Sequence, residues 1–202
     1  HVRSRRQRQM CIRDRVDLDQ QGTKMKIIFV RHGEPDYREL EERSYTGFGM
    51  DLAPLSEKGR QQAQELCQNP LLQSANLLVT SAVTRALETA FYVSCATGLP
   101  LRVESLLHEW QVYESGIENF ERARCLFLES KGELLPNSSI QYETAAEMKS
   151  RFLECMTKYR EHQTVVVVAH RMLMRQFVPN EKIDFCQVIE CEICLLYTSP
   201  SP

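Results

Sequence analysis

Thr164 to Ala169 places four valines in a row, and this run constrains the fold more than any other feature. β-Branched side chains crowd a helix and fit a pleated strand. A strand apolar at every position must be covered on both faces, as in a parallel sheet packed between helices. Lys26-Ile27-Ile28-Phe29-Val30 and Leu77-Leu78-Val79 are shorter runs of the same kind. Leu101 to Val103 reads as a short strand, and Cys191-Glu192-Ile193 as the start of a last one. Helical segments lie between them. Ser56 is placed to cap a helix reaching about Cys67, which Asn69-Pro70 ends. Ala82 to Thr97 reads as a helix closed by Gly98, with Pro100 beyond. Glu118 to Ser130 is helix-compatible and closed by Gly132. Thr144-Ala145-Ala146-Glu147 is a capping box opening a helix to about Tyr159, and Met172 to Phe177 suits a short helix. Pro35 to Pro54 is Gly- and charge-rich without a period and reads as a long loop. The alternation predicts an α/β fold: a mainly parallel sheet flanked by helices on both faces.

The two ends of the chain read differently. Residues 1–15 hold six arginines and one aspartate, a +5 arm. Such an arm would ordinarily suggest nucleic-acid binding. Met10-Cys11-Ile12-Arg13-Asp14 can, however, be encoded by ATG-TGT-ATA-AGA-GAC. The opposite strand of that DNA, read one frame over and extended, encodes Cys-Leu-Leu-Tyr-Thr, the run Cys194 to Thr198. Residues 1–15 and 194–202 are therefore expected to be translated library adapter, and 16–24 translated upstream DNA. Met25 is then the natural start, and the domain spans 25–193 with its native C-terminus missing. Without the basic arm, the net charge of −2 becomes −7, which argues against nucleic acid as a partner. No run is long enough to cross a bilayer, and no apolar segment follows the basic N-terminus as in a secretory signal, so no membrane role is expected. The eight cysteines show no disulfide-framework spacing and read as reduced thiols in a cytoplasmic protein. The Cys191-x-x-Cys194 pair is too weak to indicate metal, and no cofactor is expected.

Chemistry-bearing residues follow the predicted strands, the edge where open α/β sheets bind ligands. Arg31-His32-Gly33-Glu34 follows the first strand, Ser81 and Arg85 the second, and His170 the valine strand. Arginine forks supply charge and paired donors for phosphoryl oxygens. One imidazole can attack phosphorus while another holds an oxygen. Taken singly, each residue has a bland alternative: a satisfied core histidine, a solvated helix arginine, an exposed loop glutamate. The absence of a Gly-rich loop ending in G-K-[ST] removes support for a nucleotide kinase.

Five motifs in order make the chain resemble the histidine phosphatase superfamily, the clan of phosphoglycerate mutase and acid phosphatase. They are R-H-G-E, Leu55-Ser56-Glu57-Lys58-Gly59-Arg60-Gln61-Gln62-Ala63, the T-S-x-x-x-R-A-x-x-T-A run from Thr80 to Ala90, L-H-E-W from Leu107 to Trp110, and Ala169-His170. The resemblance covers roughly residues 25 to 193 and implies a phosphoglycerate mutase-like sandwich. It implies a phosphohistidine on His32, with Arg31 and Arg85 clamping the phosphate, His170 donating to another oxygen, and Gly33 and Ser81 near the ligand. Glu109 is the expected proton donor, and Glu34 a second candidate. The expected activity is metal-independent hydrolysis of a small phosphorylated substrate. The alternatives are a mutase of the same clan, or a phospho-ligand binding module without turnover. Two positions depart from the pattern. Arg171 stands where relatives usually have glycine, and is expected to crowd the pocket, add a third cation, or point outward. Arg38 stands near a place where some relatives have a phosphate-contacting asparagine.

Overall fold

The computed structural model describes residues 22–113, 117–179 and 182–195. Residues 1–15 and 196–202 lie outside the described residues. Thr23 and Lys24 lie at the start of β1, and Cys194 and Leu195 at the end of β5.

β1 is Thr23–Arg31, β2 Leu77–Ser81, β3 Leu101–Glu104, β4 Thr164–Ala169 and β5 Val188–Leu195. They form one sheet in the order β3-β2-β4-β1-β5. The first four are parallel, and β5 pairs antiparallel with β1. The valine strand is central, between β1 and β2, as its two-sided apolarity requires.

The helices are α1 Arg38–Glu42, α2 Glu57–Leu66, α3 Thr84–Thr97, α4 Ile117–Glu129, α5 Ala145–Thr157 and α6 Arg171–Met174. Alternation along the strands sorts the core into two layers. Ile27, Phe29, Val165 and Val167 pack with Phe127 of α4 and with Met148 and Phe152 of α5. Ile28, Val30, Val166 and Val168 pack with Leu66 of α2 and with Ala86, Ala90 and Val93 of α3. Each fully buried valine or isoleucine contributes about 1.5–3 kcal/mol of apolar burial, so the two layers hold the strands in register.

The caps work as the sequence predicts. Ser56 Oγ accepts the Gly59 N–H at 3.0 Å. Thr144 and Glu147 form a reciprocal capping box. Gly98 closes α3 at φ +73°, a backbone region that costs glycine little.

Three expectations need correction. The 35–54 stretch is not a plain loop: it holds α1 and a 3₁₀ turn at Gly47–Leu52. The helix after His170 is a single turn that starts at Arg171 and ends before 177. The last strand begins at Val188, three residues earlier than read. As an edge strand it alternates: Ile193 and Leu195 are buried, while Glu190 and Glu192 face out and pair with Lys26 and Lys24. Such alternation carries less apolar signal than a two-sided strand.

Among the described residues no helix is long and apolar enough to cross a membrane.

Candidate active site

Parallel pairing brings the site together. Arg31 lies beside Ala169 in register, and the His32 N–H donates to the Ala169 carbonyl at 3.1 Å. The two histidines that follow these strands therefore meet. Their ring centroids are 5.1 Å apart, and both residues are buried.

A hydrogen bond assigns the tautomer of His32. Its Nδ1 lies 2.7 Å from the Gly33 carbonyl oxygen. A carbonyl only accepts, so Nδ1 carries the proton and Nε2 keeps its lone pair. Ser81 Oγ accepts the Val83 N–H at 3.2 Å and shares a hydrogen bond with His170 Nε2 at 2.9 Å. Burial, and for His32 the Arg85 charge, holds both imidazoles well below their ordinary range. Both rings are neutral at pH 7.

Arg31 is fixed by the loop before β5. Its Nη1 donates to the Ile183 carbonyl at 2.7 Å, and its guanidinium lies 3.8 Å from the centroid of the Phe185 ring. Phe185 also contacts the His32 ring, with centroids 5.7 Å apart. Burial first, then the neighbouring Arg171 charge, lowers the Arg31 pKa to about 10, which still leaves it charged at neutral pH. Arg85 is buried in the first turn of α3, and its Nη1 lies 3.5 Å from Asp51 Oδ1. Thr89, one turn on, ties this helix to the loop after β1: its Oγ1 accepts the Gly33 N–H at 3.0 Å and donates to the Arg85 carbonyl at 2.8 Å.

Gly33 is needed for packing. A Cβ there would meet the Gly59 carbonyl oxygen at 2.7 Å, and a Cβ on Gly59 would collide with the Glu34 carbonyl. The loop after β1 rests on α2 backbone to backbone.

Glu109 follows the 3₁₀ turn Ser105–Leu107. Its Oε1 accepts the Trp110 N–H at 2.8 Å. Burial pushes its carboxyl pKa up, against opposing pulls from Arg85, Arg31 and Arg151. His108 turns its Nδ1 to the Glu109 carbonyl, and Trp110 is a core residue.

Among the described residues, three buried side-chain nitrogens have no hydrogen-bond partner: Arg31 Nε, Arg85 Nε and His170 Nδ1. Buried donors are almost always satisfied, and each orphan costs about 1–3 kcal/mol. All three belong to the set expected to hold a phosphoryl group. No cluster of three or more His, Cys, Asp or Glu with metal-holding geometry occurs among the described residues.

Other expected residues lie elsewhere. Glu34 turns to α2, taking Lys58 Nζ at 2.8 Å and Ser56 Oγ at 3.1 Å, and Lys58 holds its carboxyl below the ordinary range. Arg38 is 83% exposed and paired with Asp36. Ser81 orients His170 by direct hydrogen bond. Arg171 starts α6 beside the pocket and is felt by Arg31. Its φ is not positive, so arginine sits there without left-handed backbone strain.

Sequence reasoning missed Tyr37, Asp51, Ile183 and Phe185. Tyr37 lies close enough for its phenol to feel Arg85, Glu109, Asp51 and Arg31. Nothing local marks these residues, because they enter from separate loops. Thr89 was visible in the Thr80–Ala90 motif, one turn after Arg85.

The family model described as histidine phosphatase superfamily (branch 1) matches residues 27–180. Phosphoserine phosphatase 1 of Hydrogenobacter thermophilus is 28% identical over 163 residues, 75% of this chain and 73% of that protein. A phosphoglycerate mutase from Bacillus anthracis superposes with a TM-score of 0.62 at 18% identity, covering 90% of this chain and 94% of that one. A mycobacterial glucosyl-3-phosphoglycerate phosphatase complexed with VO3 gives 0.59 at 21%, covering 82% and 90%. At these identities the structures establish a shared fold.

Proposed function

This chain belongs to the histidine phosphatase superfamily, and we propose that it hydrolyses phosphomonoesters through a phosphohistidine on His32. The observation that carries the reading is three buried side-chain nitrogens without a partner, on Arg31, Arg85 and His170, residues that all act on or pack beside the neutral imidazole of His32. A phosphoryl group presents three oxygens to such a set.

In the first step His32 Nε2 attacks phosphorus and the bond to the ester oxygen breaks. Glu109 gives its proton to that oxygen, so an alcohol leaves. A carboxyl whose pKa is raised by burial suits this task. Arg31, Arg85 and His170 Nδ1 hold the remaining oxygens. In the second step water attacks the phosphohistidine, Glu109 takes a proton from it, and the phosphorus–nitrogen bond breaks.

Charge on the transferred group is met by the arginines, so the reaction is metal-independent in this reading. The named phosphatase relative supports a small phosphorylated substrate. The net acidity of the chain argues against nucleic acid as a partner, and the free thiols among the described residues support a cytoplasmic location. Residues 25–193 are proposed as the natural part of the chain, a C-terminally truncated domain.

The test is turnover of an aryl phosphate in EDTA, with His32→Ala beside the wild type. Activity that survives EDTA and vanishes in the variant supports the reading. Phosphate binding without turnover in a folded protein replaces it with the binding-module alternative.

A further inference from the structure

We propose that the buried Glu143–Arg151 pair is a positioning device for Glu109; this rests on the hydrolase reading above. The pair is buried, although charged residues seldom are, and it touches the acid-bearing segment on both sides.

Arg151, in the middle of α5, sends its Nε and Nη2 to the two oxygens of Glu143 in a fork, the latter at 3.0 Å. Its Nη1 donates to the Leu106 carbonyl, three residues before Glu109. On the other side, Trp110 Nε1 donates to the Glu143 carbonyl at 2.6 Å. The Gln111 N–H reaches Glu143 Oε2 at 3.4 Å, and the Glu143 N–H donates to the Gln111 carbonyl at 2.9 Å. Residues 106, 110 and 111 are thus tied to one ion pair, with Glu109 between them. The capping box at Thr144 and Glu147 fixes the start of α5 directly after Glu143.

The physical case is one of precision. Glu109 sits in an irregular segment, outside any strand or helix. A general acid must lie within about 0.5 Å of its working place, and a small misplacement costs up to about a hundredfold in rate. A buried pair adds little net stability against an apolar replacement. This one supplies directional bonds to a segment with few of its own, and its Arg151 charge also acts on the Glu109 carboxyl.

Leaving-group dependence distinguishes positioning from mere structure. An aryl phosphate departs without much protonation, whereas an alkyl phosphate needs the acid. Wild type, Glu109→Gln, Glu143→Gln and Arg151→Lys are compared on p-nitrophenyl phosphate and on a simple alkyl phosphate. For Glu143→Gln and Arg151→Lys, kcat/KM, which reports the step in which the alcohol leaves, should fall about tenfold or more on the alkyl ester, with at most about a threefold change on the aryl ester. The skew should match that of Glu109→Gln in direction, and adding Arg151→Lys to Glu109→Gln should deepen it little. If Arg151→Lys folds poorly, Glu143→Leu with Arg151→Met replaces the pair by apolar groups and must show the same skew. Equal losses on both esters, or a skew that adds fully to that of Glu109→Gln, overturn the positioning role. No skew in Glu109→Gln itself overturns Glu109 as donor and this inference with it, while His32→Ala reports separately on hydrolysis.

Discussion

The strand-end rim and the outer loop face the same pocket and are built in opposite ways. On the rim, His32, His170 and Arg85 are buried, and backbone register sets their spacing. In the outer loop, residues 36–52, Arg38 is 83% exposed, Phe48 78% and Leu52 58%. The loop's fixed links to the rest are few, such as the Asp36 N–H to the Pro54 carbonyl at 2.8 Å. The contrast teaches where chemistry and selectivity reside. In the proposed mechanism the groups that move the phosphoryl unit are held by the sheet, and groups that would meet the rest of the substrate are held by little.

The largest way to break this contrast is at its centre. His32→Ala should lower kcat at least about 10⁴-fold, because the imidazole beside it, His170, has its Nε2 hydrogen-bonded to Ser81. Steady-state kinetics on an aryl phosphate checks it.

Next is the pH profile. His32 works neutral and its pKa is depressed, so kcat/KM should fall only well below pH 6.5. Glu109 works protonated and its pKa is raised, so the alkaline fall should begin above pH 4.5. Glu109→Gln should remove the alkaline limb and cost about 10²–10³-fold on alkyl phosphates. An alkaline limb that persists in this variant contradicts the assignment.

A smaller change sharpens the link between rim and helix. Gly59→Ala places a methyl against the Glu34 carbonyl. It should destabilise the protein by about 1–3 kcal/mol and lower kcat, since the nucleophile loop must shift. Urea denaturation with parallel kinetics reads both.

The smallest expected effect is in the outer loop. Arg38→Ala should change kcat by no more than about twofold, as its guanidinium is spent on Asp36 at the surface. A large loss would show that the rim does not hold the chemistry alone.

The rim was legible in the sequence because periodicity places residues at strand ends. His32 and His170 each follow a buried apolar run, and Arg85 lies one turn into the helix after Ser81. Side-chain direction was not legible. Glu34 directly follows the catalytic turn yet faces α2, because Lys58 and Ser56 draw it there. Phe185 and Ile183 fix Arg31 from far along the chain, and no local pattern reports such a contact. Glu143 and Arg151 carry a faint signal, two charges flanking a capping box, but their burial depends on tertiary packing.

The most direct test is an alkaline quench during turnover, followed by peptide mass spectrometry. The account predicts one added phosphoryl group on the peptide that contains His32, absent in His32→Ala and accumulating in Glu109→Gln with an aryl phosphate. Turnover in the wild type with no phosphorylated His32, or with the label on another residue, would contradict it.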